Sequence, residues 1–202
     1  MNRVHYDSHQ LDGLVLQMME TEQVGERVYR AALACAHHPA LKKEWQGYLK
    51  DRQAHQGVVR RMCDALGLDP DAPTAARAVA RQLGDTWVQA IETAQRTCDP
   101  DTAQRVACEC VLHSETSNHA QWEQLGRVAR VAVGDVGQTL KAAHKAVEKN
   151  EEHHLHHIQG WHRELAIQAL GLPAVLPPPE AGKKMGHGLG GTPRAEPQVA
   201  LH

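Results

Sequence analysis

Val147-Glu148-Lys149-Asn150-Glu151-Glu152-His153-His154-Leu155-His156-His157-Ile158-Gln159-Gly160-Trp161 is the stretch on which the reading of this 202-residue chain turns. A helix rotates roughly 100° per residue, so His154 shares one stripe with Val147, Ile158, Trp161 and Leu165. Glu151 lies about 60° from that stripe, while Glu152 and His156 fall on the opposite face. An amphipathic helix that turns a carboxylate and an imidazole inward among aliphatic residues needs an explanation, because burying such groups unpaired is costly.

The same phase analysis applies along the chain. Helical periodicity predicts helices over about 8–36, 40–66, 74–97, 99–133 and 134–170, the third with a break near Gly84. On the first, Glu22 shares its stripe with Leu11, Val15, Met18, Tyr29 and Leu33 to within about 40°, and Glu20 points about 160° away, toward water. On the second, His55 and Asp51 lie with Tyr48, Val59, Met62 and Leu66, and Arg52 sits about 60° to the side. On the fourth, Glu115 lies with Cys108, Val111, Trp122 and Val133, and His119 is about 40° off.

Pro39 suits the first turn of the second helix, and Gly67 followed by Asp69-Pro70-Asp71-Ala72-Pro73 stops it. Two helical hairpins are thus joined by a segment whose helix, at about 1.5 Å per residue, spans about 35 Å. That is the connectivity of an all-α four-helix bundle with one long crossover. An up-down array of five helices is the alternative. In the first hairpin Glu22 and His55 each lie 16 or 17 residues from His38, about 25 Å along the helix. In the second, Glu115 is 19 residues before Gly134, and Glu151 and His154 are 17 and 20 after it. The inward polar groups of both hairpins therefore fall at one height, where a divalent cation satisfies several at once. A hydrogen-bonded network of Glu, His, Asp and Tyr is the competing explanation.

Composition sets the limits. There are 15 His against 4 Trp, 3 Tyr and no Phe, and the aliphatic residues are chiefly Ala, Leu and Val, which argues against an all-β domain. A net charge of −2 offers no electrostatic basis for nucleic-acid or anionic-membrane partners. The first residues lack the apolar segment of a secretory signal, and no apolar run approaches the roughly 20 residues that span a bilayer. Cys35, Cys63, Cys98, Cys108 and Cys110 lack zinc-knuckle spacing and read as thiols of a reducing cytoplasm. Residues 1–172 form the expected domain. From Pro173 onward, Pro and Gly enrichment predicts a disordered tail containing His187.

These motifs resemble the ferritin-like superfamily, in its rubrerythrin and bacterial stress-associated branch, over about residues 8–170. That pattern takes one Glu from each of two helices and Glu-x-x-His from each of the other two. Glu151-Glu152-His153-His154 supplies one such motif. Glu22 and Tyr29, seven apart, are similar to the Glu and Tyr of the family's first helix, and Glu115 and Trp122 repeat the spacing. The second helix departs from the pattern, with Arg52 three residues before His55 and Asp51 one position earlier.

The resemblance implies a di-iron or di-manganese centre, with Zn as a further option, held by Glu22, Asp51, His55, Glu115, Glu151 and His154. It implies reaction with dioxygen or peroxide, with Tyr29 or Trp122 carrying electrons. His119, from its own position about 40° off the Glu115 face, reads as an extra ligand or a donor to Glu115. Arg52 either repels a cation or pairs with Asp51. Two other readings stand beside this one. The first is a ferritin-like interaction or dimerisation module whose metal site is degenerate. The second is a metal buffer using surface histidines such as His153 and His157.

Overall fold

The structure, a computed structural model, describes residues 6–179. Among the described residues there are five helices and no strand: α1 (Ser8–Cys35), α2 (Pro39–Leu66), α3 (Ala75–Thr97), α4 (Pro100–Val131) and α5 (Gly134–Ala169). The all-α expectation holds, and the ends agree with the sequence signals. Asp7, Thr74 and Asp99 cap α1, α3 and α4 by accepting from backbone N–H groups of the first turn. Gly67 closes α2 in the left-handed conformation, at φ 69°, that a side chain disfavours.

Helix α1 packs against α2, α3 and α4; α5 packs against α2 and α4; and α3 also touches α4. Contacts therefore run around a ring α1–α2–α5–α4, with α3 lying over the α1–α4 side. This arrangement corrects two expectations. Helix α3 is continuous through Gly84, because Gly84 lets it approach α1 closely: a Cβ there would collide with the Val24 side chain. Glu20 does not face water but is 2% exposed beneath α3. Its carboxylate accepts from Arg77 and Arg81, and Arg77 also donates to the carbonyls of Pro70 and Ala72, 2.6 and 3.0 Å away. A single apolar stripe cannot describe α1, which has neighbours on three sides. Val133, by contrast, lies past the end of α4 and is exposed.

The apolar interior falls into two blocks. One gathers Val28, Leu41, Trp45, Ile91, Ile158 and Trp161. The other gathers Val15, Met18, Val59, Met62, Leu125 and Leu140. Between them lies a layer of fully buried polar side chains: Glu22, Arg52, Glu115 and Glu151. After α5 the chain turns back along the helix. Val175 N–H donates to Glu164 (2.9 Å), and Pro178 packs on Gly160. Residues 173–179 are thus held against α5, and the remainder of the expected tail, His187 included, lies outside the described residues. No helix among the described residues is long and apolar enough to cross a membrane.

Candidate metal centre

The polar layer is assembled from four helices. Arg52 of α2 lies at its middle and reaches all three buried carboxylates. Its Nη1 donates to Glu22 Oε2 (3.0 Å) and Glu151 Oε1 (3.2 Å), and its Nη2 donates to Glu115 Oε2 (2.5 Å). Each carboxylate has one further donor. Trp122 Nε1 donates to Glu22 Oε1 (2.8 Å), Tyr29 OH to Glu115 Oε1 (2.6 Å) and Asn118 Nδ2 to Glu151 Oε2 (2.5 Å). The pairing is reciprocal: the aromatic residue seven positions after each of Glu22 and Glu115 holds the other one.

Two imidazoles border the layer. His55 Nδ1 stands 3.1 Å from Glu151 Oε1 and 3.8 Å from Glu22 Oε1, off the hydrogen-bonding direction, and neither of its ring nitrogens has a hydrogen-bond partner. His154 Nε2 is 3.0 Å from Asp51 Oδ2, and its Nδ1 faces Glu115 Oε2 at 3.9 Å without a hydrogen bond. Two groups have ligand atoms close enough to share an ion: Glu22, His55 and Glu151, and Glu115, Glu151 and His154. Glu151 belongs to both.

Charge state follows from these contacts. Burial would lower the Arg52 pKa, but Glu115, Glu151 and Glu22 hold it well above its ordinary value. Burial also opposes ionisation of Glu151, yet Arg52, His55 and His154 bring its pKa down to about 2. Glu22 goes the other way, with burial raising it against the pull of Arg52. The Tyr29 phenol is pushed well up by burial and by Glu115, so it remains a donor. A hydrogen bond with His154 holds the Asp51 carboxyl below its ordinary range, and since an ionised carboxylate only accepts, His154 Nε2 is the donor in that pair.

The sequence-derived residues are therefore brought together, with differences of detail. Glu22, His55, Glu115, Glu151 and His154 converge. Asp51 belongs to neither group and instead backs His154 from the outer side, because its side chain is 39% exposed at the edge of the layer. Arg52 does not pair with Asp51; it points inward and takes the three glutamates. His119 makes no hydrogen bond to Glu115, and its Nδ1 is buried without a partner. It lines an opening of about 200 Å³ with His144, Glu123 and Glu148 that reaches Glu151 and Trp122.

Three contributors escape the phase analysis. Asn118 was detectable, since it follows Glu115 by three residues on the inward side. Gly25, three residues after Glu22, makes room for Arg52: a Cβ there would lie 3.1 Å from its Cδ and Nε. Glu44, nearer the α1–α2 turn, accepts from Trp161 Nε1 (2.9 Å) and lies 3.5 Å from His157 Nδ1. The His157 ring packs on His153 with centroids 3.9 Å apart. These histidines form no common-ion group among the described residues. No family model, curated protein or solved structure matches the chain.

Proposed function

We propose that this chain is a ferritin-like metal-binding protein in which α1, α2, α4 and α5 form the four-helix bundle and α3 the crossover. The observation that carries the reading is an imbalance. Three buried carboxylates surround one guanidinium, and the adjoining buried imidazoles keep nitrogens without partners. Buried groups of this kind are normally paired, and a cation supplies what is lacking. The donor set of carboxylate oxygen and imidazole nitrogen suits Fe or Mn, and it can take Zn.

Glu115, Glu151 and His154 would hold the metal, and Glu22 and His55 make a second candidate group that shares Glu151. When bound, an iron or manganese centre supplies redox chemistry toward dioxygen or peroxide, which is also what the resemblance implies. This chain's own groups do the positioning. Asp51 fixes the ring and tautomer of His154. Tyr29, Trp122 and Asn118 fix the carboxylates, and the apolar blocks on either side exclude water. The opening beside His119 and Glu148 adjoins Glu151, which is itself fully buried.

Metal content tests the reading. Protein purified aerobically, or loaded anaerobically with Fe²⁺ or Mn²⁺, carries bound metal that Glu115→Ala and His154→Ala abolish. Protein that stays metal-free after anaerobic loading defeats it. One observation favours a second reading, a non-catalytic interaction or dimerisation module: Arg52 already bonds all three carboxylates of the buried layer. The exposed Val79 and Leu83, one turn apart on α3, offer such a module an apolar face. Absence of metal together with self-association sensitive to Leu83→Lys supports that alternative.

A further inference from the structure

The polar layer has an internal two-fold pattern. Glu22 and Tyr29 on α1 correspond to Glu115 and Trp122 on α4, and His55 on α2 corresponds to His154 on α5. Three residues before His154 stands Glu151; three residues before His55 stands Arg52. The pattern is broken at that one pair, and its surroundings are fitted to the break. Three residues after Glu115 stands Asn118, which bonds Glu151; three residues after Glu22 stands Gly25, whose missing side chain leaves space for the Arg52 stem. The guanidinium is thus a built-in part of the layer.

Resting on the metal-binding reading above, we infer that Arg52 acts as a resident cation in place of a second metal, so that the centre takes a single divalent ion between Glu115, Glu151 and His154. Charge selects the number. Counted as anions, Glu22, Glu115 and Glu151 exceed Arg52 by two negative charges, which one divalent ion balances. A second ion would leave the buried layer with a positive excess and press against a guanidinium that cannot lose its proton. A buried layer of that charge is strongly disfavoured.

Geometry selects the half. His154 is arranged as metal-binding histidines usually are, one ring nitrogen donating to a carboxylate and the other free. Its Nε2 meets Asp51 Oδ2 at 3.0 Å, and its Nδ1 is buried, without a hydrogen bond, beside Glu115. His55 has no such backing, since no carboxylate hydrogen-bonds either of its nitrogens, and its Nδ1 already lies 3.1 Å from Glu151.

The test is metal counting with Mn²⁺ on the full chain, read with its electron paramagnetic resonance spectrum. Wild type takes one Mn²⁺ and gives the hyperfine-split signal of an isolated ion. His55→Ala keeps that ion, His154→Ala loses it, and Arg52→Lys, which retains the fixed charge, still takes one. Arg52→Glu, refolded with Mn²⁺, takes two and shows an exchange-coupled pair. Wild type binding two coupled ions overturns the inference and leaves the metal-binding reading standing. An ion lost with His55→Ala and kept with His154→Ala overturns the choice of half. An empty wild type alongside a two-ion Arg52→Glu overturns the one-ion centre and makes Arg52 a plug. No metal in either overturns the metal-binding reading as well. Should Arg52→Glu fail to fold, the wild-type spectrum and the two histidine variants still decide.

Discussion

Asp51 stands behind His154, its Oδ2 3.0 Å from the ring Nε2, and is itself a member of neither group of candidate ligands. Removing such a partner frees the ring and its tautomer while leaving the ligand in place. Asp51→Ala is expected to weaken Mn²⁺ binding by about 10- to 100-fold without abolishing it. Titration calorimetry distinguishes this from direct ligation, in which binding falls below detection.

Arg52 is the one fixed positive charge among three buried carboxylates. Arg52→Met is expected to destabilise the metal-free protein by about 3–5 kcal/mol, the usual consequence of stripping a buried ion pair of one partner. Urea unfolding measures the loss. Added Mn²⁺ should restore more of the stability of this variant than it adds to wild type, since binding to the folded state alone stabilises it.

Gly25 is expected to resist substitution although helices ordinarily favour alanine. A Cβ there meets Arg52 Cδ and Nε at 3.1 Å, and the three ion pairs prevent that side chain from stepping aside. Gly25→Ala should cost roughly 1–3 kcal/mol by overpacking. In an Arg52→Gln background the cost should shrink, so a double-mutant cycle yields a coupling term well away from zero.

Glu20 gives a pH dependence outside the candidate centre. Its hydrogen bond with Arg81, stronger than the opposing effect of burial and aided by Arg77, holds its pKa below the ordinary 4.5. The folded state thus binds fewer protons there than the unfolded chain. The resulting stability is complete above about pH 4.5 and disappears as pH falls through the lower folded value. Melting temperatures measured as pH falls should decline less steeply for Glu20→Gln, from a lower starting value. Equal slopes for the two proteins would contradict the assignment.

Helical phase and distance from the turns were enough to place Glu22, His55, Glu115, Glu151 and His154 at one height, because each depends on the fixed rotation and rise of a single helix. What they could not supply was the direction of a long side chain. Arg52 lies about 60° from its stripe, yet its flexible stem carries the guanidinium to the middle of the layer. Asp51 lies on the stripe but is too short to reach past His154. Glu20 was misread for a different reason: α3 covers a face of α1 that no periodicity within α1 distinguishes from solvent. Gly25 carried no signal until the residue opposite it was known to be a buried arginine.

The cross-bracing of Tyr29 to Glu115 and Trp122 to Glu22 also bears on how the helices are aligned end to end. Aliphatic stripes alone tolerate sliding, since one leucine replaces another after each turn. Moving α4 by one turn, about 5.4 Å along its axis, would carry Glu115 and Trp122 away from both partners at once and deprive Arg52 Nη2 of its carboxylate. The polar layer is therefore a vernier for the whole assembly, admitting one longitudinal setting of α1 against α4 where the surrounding hydrocarbon would accept several.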